Sequence, residues 1–201
     1  VVNGADKVPL SFSSTPRFMY GFGVEFRYKR LSAAVLFKGT GNTDVYHVGV
    51  PASNGALYDE GYIPFYGKQT GNVLSIVKKP ANRWISREYA EKMGLDPSLS
   101  ENPNARFPRM SYGNLENNSQ TSSFWKNNAK YLRLSEVNIN YSVNVPKTIK
   151  NLGINSIDLS LVGNNLCVWD KIDICDPEQA LYNGRRYPIP ASVTLQAYIK
   201  F

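Results

Sequence analysis

The sequence holds one histidine, His47, and two cysteines, Cys167 and Cys175. A lone imidazole excludes most catalytic triads and histidine-based metal sites. The seven residues between the cysteines do not make a zinc spacing. They leave two readings open: free thiols, or a disulfide closing one loop in an oxidising compartment. No apolar run approaches the ~18 residues of a transmembrane helix. A phosphate loop and a dinucleotide fingerprint are absent as well. Carboxylate pairs such as Asp59-Glu60 and Asp176/Glu178 read as loop solvation rather than glycosidase chemistry. The expectation is a chain that is not an enzyme and needs no cofactor.

What is present is basic and aromatic. Lys and Arg number 23 against 16 Asp and Glu, a net charge of +7. The cations are scattered in runs no longer than two, such as Lys78-Lys79, without a nucleic-acid motif, so nucleic acid is not an expected partner. Aromatics make up 12% of the chain, and the mean hydropathy is −0.34. That combination suits strands that alternate apolar and polar residues.

Five segments alternate with period two. At about 17–28, Phe18, Tyr20, Phe22, Val24, Phe26 and Tyr28 share one face, with Met19, Gly21, Gly23, Glu25 and Arg27 opposite. After Lys29-Arg30, the segment at about 31–41 sets Leu31, Ala33, Val35 and Phe37 against Ser32, Ala34, Leu36 and Lys38. At 131–143, Val137, Ile139, Tyr141 and Val143 oppose Glu136, Asn138, Asn140 and Ser142. At 156–169, Ile157, Leu159 and Leu161 oppose Asp158, Ser160 and Asn164. At 191–201, Val193, Leu195, Ala197, Ile199 and Phe201 oppose Ser192, Thr194, Gln196, Tyr198 and Lys200.

These runs exceed the ~5–6 residues usual in globular sheets and match the height of an outer-membrane apolar band. Aromatics gather at the ends of the apolar face: Phe18, Phe37, Tyr131 and Trp169 at one, Tyr28, Tyr141 and Phe201 at the other. A membrane barrel needs two such belts, whereas a soluble sandwich has no reason to sort them. Two connections are short, and two are long, 42–130 and about 170–190. Short turns at one rim and long loops at the other fit periplasmic and extracellular ends, making 42–130 a large extracellular loop. Within it, Ser86 is placed to cap a short helix over Arg87 to Met93, ended by Gly94. The fold class is thus all-β, an antiparallel transmembrane β-barrel segment with long extracellular loops. Five strands are too few to close, since single-chain barrels begin at about eight, so the expectation is a segment of a longer protein or a truncated gene product.

Several stretches together resemble the SusC/RagA family of TonB-dependent outer-membrane importers. They are DKVPLSFSSTPRFMYGFGVEFRYKRLSAAVLFKGTG (Asp6 to Gly41), Asn82-Arg83-Trp84 with ENPNARFPRMS (Glu101 to Ser111), SSFWKNNAKYLRLSEVNINYSVNVPK (Ser122 to Lys147), GNNLCVWD (Gly163 to Asp170) with Asp176-Pro177-Glu178, and the closing YPIPASVTLQAYIKF. They follow the family's order across nearly the whole chain. The resemblance implies the last five or so strands of a 22-stranded, plugged barrel in the cell outer membrane of a Gram-negative bacterium. That barrel imports glycans or peptides with a SusD-like surface lipoprotein, powered by the TonB complex through an N-terminal part outside this sequence. Leu195, Ala197, Ile199 and the final Phe201 are similar to the signal read by the barrel-assembly machinery. Asp6 is a weak candidate for the closing carboxylate of a calcium loop.

Ligand contacts are expected from aromatics on the long loops, on which a sugar ring or peptide side chain can stack. The candidates are Phe65, Tyr66, Trp84, Trp125, Trp169 and Tyr182, of which Trp125 and Trp169 also suit anchoring at the rim. Glu25, Arg27, Lys38, Glu136, Asn138 and Asn140 are expected to line the lumen. The alternative from another class is a secreted all-β carbohydrate- or peptide-binding module, which predicts a water-soluble monomer.

Overall fold

A computed structural model describes residues 8–10, 15–46, 75–109, 122–182 and 187–201. Their long strands are β1 (Phe18–Tyr28) and β2 (Leu31–Gly41), then β5 (Tyr131–Val143), β6 (Ser156–Trp169) and β7 (Ser192–Lys200). The short strands β3 (Asp44–Tyr46) and β4 (Lys126–Asn128) pair as a separate two-stranded ribbon. The five long strands form one sheet in the order β1-β2-β5-β6-β7, antiparallel throughout. The sheet is not closed: β1 and β7 are its two outer strands. No helix among the described residues is long and apolar enough to cross a membrane, which says nothing about crossing by strands.

Sequence dictates the connections. Lys29, at φ +54°, makes the tight turn with Arg30 that reverses β1 into β2. At the same end, Pro146 leads into the single turn α3 (Lys147–Lys150), and Gly153, at φ +92°, returns the chain to β6. β2 ends, β5 begins and β6 ends at the opposite end.

Register fixes the faces. Val24, Val35 and Val137 align across three strands, as do Phe26, Ala33 and Ile139. Tyr141, Leu159 and Ala197 continue the same face to β7. One irregularity interrupts it. Leu36 and Phe37 pair with Glu136 and Leu134, which leaves Ser135 as an extra residue in β5. Opposite it on β6, Asn165 sits at φ +52° in the gap between Asn164 and Cys167. This β-bulge inverts the parity of the strand beyond it. Leu132 and Leu134 therefore join the apolar face, while Tyr131 and Arg133, in register with Thr40 and Lys38, lie on the polar one. The sequence expectation that Tyr131 belongs to the apolar belt is corrected here. Strict alternation cannot register an unpaired residue.

The apolar face is uncovered among the described residues. Val24 is 71% exposed, Leu195 76% and Val193 67%, and Phe22, Phe26, Ile139 and Leu161 are exposed with them. Burying one such side chain is worth about 1.5–3 kcal/mol. A dozen left in water would outweigh the ~5–15 kcal/mol stability of a whole domain. This face needs a nonaqueous cover. The small buried core lies elsewhere, where Val45, Ala129, Ile172 and Ala180 pack with Ile174 and Cys175.

The chain divides into two units. One comprises 11–45, 127–181 and 186–201, the long sheet and its adjoining loop; the other comprises 1–10, 46–126 and 182–185. The described part of the second is built from short pieces: α1 (Ser75–Lys78), α2 (Arg87–Lys92) and 3-10 turns at Pro80–Asn82, Pro97–Leu99 and Ser123–Trp125. Ser86 caps α2 as its sequence predicts, accepting from the Tyr89 amide at 3.2 Å, and Gly94 follows at φ +62°. Asn82 and Arg83 cap α1 from its C-terminal side. Asn82 Nδ2 donates to the Ile76 carbonyl at 2.8 Å, and Arg83 Nη1 donates to the carbonyls of Val77 and Lys78 at 2.9 and 2.6 Å.

Candidate functional site

Three groups of residues can do chemistry or recognition. The first is an ionic cluster on the polar face of the sheet, at the long-loop end. Arg133 is 2% exposed. Its Nη2 donates to both carboxylate oxygens of Asp176 at 2.8 Å. Its Nε lies 2.6 Å from Glu178 Oε1, an ion pair whose angle falls outside that of a hydrogen bond. Lys38 Nζ donates to Glu178 Oε2 at 3.1 Å. Asp176 also accepts the Glu178 amide at 2.9 Å, and Asp170 accepts that of Ile172 at 2.6 Å. The loop after β6 is thereby tied down onto the polar face. Sequence reasoning missed this cluster, because the bulge conceals which way Arg133 points. The signal within reach was an arginine flanked by Leu132 and Leu134.

The rest of that face is an array of amides, hydroxyls and charges. Glu25 and Arg27 pair with each other at 2.8 Å in the open. Asn138 and Asn140 converge on Ser160, and Ser142 donates to Asp158 at 2.6 Å. Glu136 shares the face in register with Leu36. All six residues expected at the lumen, Lys38 included, thus lie on one face of the sheet.

The second group is a cleft of about 510 Å³ within the unit that contains α1 and α2. Trp84, Phe107, Phe124 and Trp125 form its aromatic walls, with Pro103 and Arg109 beside them. Backbone pairing makes it firm: the Trp84 amide donates to the Phe107 carbonyl at 2.8 Å, and the Phe107 amide to the Asn82 carbonyl at 2.9 Å. The Trp125 ring stands edge-on to Phe124 at 4.9 Å. Two of the expected ligand contacts, Trp84 and Trp125, meet here. Trp125 is 5% exposed, so it does not stand free as a rim anchor. Phe107, Phe124 and Pro103 were not anticipated.

The third group is the aromatic end of the apolar face. Trp169 is half exposed, its ring 6.4 Å from Phe37, and Phe37 stacks on Phe22 at 5.1 Å. Leu195, Ala197 and Ile199 lie on the apolar face of β7, and Phe201 is exposed beyond it. Phe65, Tyr66 and Asp6 fall outside the described residues, and Tyr182 ends the turn Pro177–Tyr182 with its side chain outside them too.

No disulfide joins Cys167 and Cys175. Cys167 is in register with Leu134 on the apolar face, while Cys175 packs in the loop core beside the Asp176 that Arg133 holds on the polar side. Burial pushes the Cys175 thiol up to about 11, and the carboxylates of Asp176, Asp170 and Asp173 add to the shift.

No protein-family model matches the sequence, and no curated protein does. Solved structures do. A chain of the RagAB peptide transporter aligns at a TM-score of 0.57 and 15% identity. Chains of the RagAB peptide importer align in its open-open state at 0.55 and 17%, and in its closed-closed state at 0.59 and 18%. Each alignment covers 100% of this chain and 19% of the other, so the chain spans about a fifth of the length of the structures it matches. At these identities the likeness is one of fold.

Proposed function

We propose that this chain is the C-terminal part of an outer-membrane β-barrel importer of the SusC/RagA kind, a conduit rather than an enzyme. The observation that carries the reading is the apolar face, uncovered among the described residues, which runs across five antiparallel strands and ends in aromatics. Lipid is the cover that such a face fits. A secreted binding module would need a second layer over the same residues. The likeness in fold to chains about five times as long supports further strands that pair with β1 and β7 and close the sheet.

In this reading the polar face lines the passage, where Glu25, Arg27, Lys38, Glu136, Asn138 and Asn140 meet the plug or the cargo. The long-loop end faces outward. The cleft of Trp84, Phe107 and Trp125 stacks on a glycan ring or a peptide side chain handed over by a SusD-like lipoprotein. TonB drives import through the N-terminal part, and the barrel-assembly machinery reads Leu195, Ala197, Ile199 and Phe201. The location is the outer membrane of a Gram-negative bacterium.

The test is to fractionate membranes from cells expressing the gene at its own locus and to measure the intact mass of the product. A detergent-extracted species several times heavier than 22.5 kDa, migrating faster unboiled than boiled, is the expected result. A water-soluble 22.5 kDa monomer overturns the barrel and favours the binding module.

A further inference from the structure

At the long-loop end the apolar face is interrupted by a recess of about 590 Å³. Gly41 of β2 is part of its lining, and Gly39 lies beside it on the same face. Gly39 and Gly41 follow Phe37 on the apolar face, and their missing side chains leave room that neighbouring rings use. A Cβ on Gly41 would strike the Phe18 ring, and one on Gly39 would strike the Tyr20 ring and the Tyr131 carbonyl. Phe18 and Tyr20, themselves 5.5 Å apart, therefore lie low over β2, and Trp169 on β6 stands at the other side. Leu132 lies between them.

The mouth of the recess is cationic. Lys130, the last residue before β5, and Lys171, just after β6, both line it and are both exposed. Neither ammonium group has a partner among the described residues. Asp170 also lines the recess, its Oδ1 accepting the Ile172 amide at 2.6 Å, so its carboxylate offsets one of the two ammonium charges and leaves the mouth net positive. Asn42 adds an exposed amide. An apolar wall that runs into aromatic rings and then into two exposed cations matches an amphiphile with the same order of parts: chains, a ring-bearing neck and an anionic head.

We propose that this recess binds a phosphorylated glycolipid of the outer leaflet, its phosphate held by Lys130 and Lys171, its sugar ring against Trp169, and its acyl chains along the apolar face. The inference rests on the outer-membrane reading above and adds a specific lipid to it. Ordinary interfacial anchoring needs only the aromatics, whereas two exposed lysines at one recess, without ion-pair partners among the described residues, favour an anion over a neutral headgroup.

The experiment uses the full-length protein in a nonionic detergent and native mass spectrometry. The probes are diphosphoryl lipid A, the same glycolipid with its phosphates removed, and inorganic phosphate. Wild type is expected to retain the diphosphoryl lipid at least roughly tenfold better than the dephosphorylated one. K130Q/K171Q should erase that preference while keeping the faster gel mobility of the unboiled, folded barrel. W169A should weaken both lipids alike. Equal retention of the two lipids by wild type, or an unchanged preference in K130Q/K171Q, overturns the proposal. Quantitative displacement of the lipid by inorganic phosphate overturns it too, because the site would then take a free anion. A protein that never folds in detergent sinks the barrel reading and this inference together; a folded barrel without phosphate preference sinks this inference alone.

Discussion

Arg133 and Asp176 stand 43 residues apart, yet both oxygens of the carboxylate lie 2.8 Å from the same guanidinium nitrogen. The pair crosses from a strand of the sheet to the loop after β6, and both side chains are nearly out of water, at 2% and 6% exposure. Breaking a buried pair costs more than the pair contributes, because the surviving charge is left without a counterpart.

Asp176→Asn is expected to destabilise the loop by about 3–5 kcal/mol, since Arg133 then keeps only Glu178. The readout is the reaction of Cys175 with a polar maleimide in the full-length protein. It should speed up at least tenfold, about 1.4 kcal/mol in opening free energy. A rate equal to wild type would show that the loop is held by its apolar contacts alone.

The parity of the faces is testable on β7. Leu195→Arg should cost about 2–4 kcal/mol in equilibrium unfolding from detergent or lipid, whereas Thr194→Arg should cost little. Ser160→Arg is a poor control, because Ser160 is 5% exposed and hydrogen-bonded to Asn138. Equal costs at Leu195 and Thr194 would contradict the lipid-facing assignment.

Cys175 gives a pH signature. Its folded thiol titrates near 11 and an unperturbed one near 9, so between these values the unfolded chain has lost a proton that the folded chain keeps. Fewer protons bound in the unfolded state means that stability falls as pH rises from about 9 to 11. Cys175→Ser should remove that part of the slope. Titration of urea midpoints across this range, wild type against variant, checks it.

In the cleft, Trp84→Ala should lower affinity for an aromatic-binding glycan or peptide cargo by roughly 1–3 kcal/mol while the fold persists. Arg83→Ala should instead destabilise the unit by about 1–3 kcal/mol, since two carbonyls at the end of α1 lose their donor. Calorimetry on the first variant and limited proteolysis on the second separate recognition from support. Unchanged cargo affinity in Trp84→Ala would remove the cleft from the pathway.

The sheet was legible because period-two alternation in long runs such as Phe18–Tyr28 has no helical reading, and Lys29-Arg30 leaves no room for anything but a hairpin. The site was less legible. Alternation places Tyr131 with Val137, and only the pairing of Phe37 with Leu134 reveals the extra residue that separates them. Arg133 and its acidic partners were hidden for the same reason, since a long-range ion pair has no local spacing to read. The cleft joins Trp84 to Phe124 across forty residues, and sequence offers aromatics there without saying which ones meet.

The bulge at Ser135 has one consequence for how this strand can change. Taking Ser135 away would leave Leu132, Leu134 and Val137 on one side and Arg133 and Glu136 on the other, as they are now. Removing a paired residue instead, such as Ile139, would turn one end of β5 inside out, carrying either Arg133, Glu136 and Asn138 or Asn140 and Ser142 to the wrong face. In an evolving family, length variation in this strand therefore has one silent position, and it is the one that holds no partner.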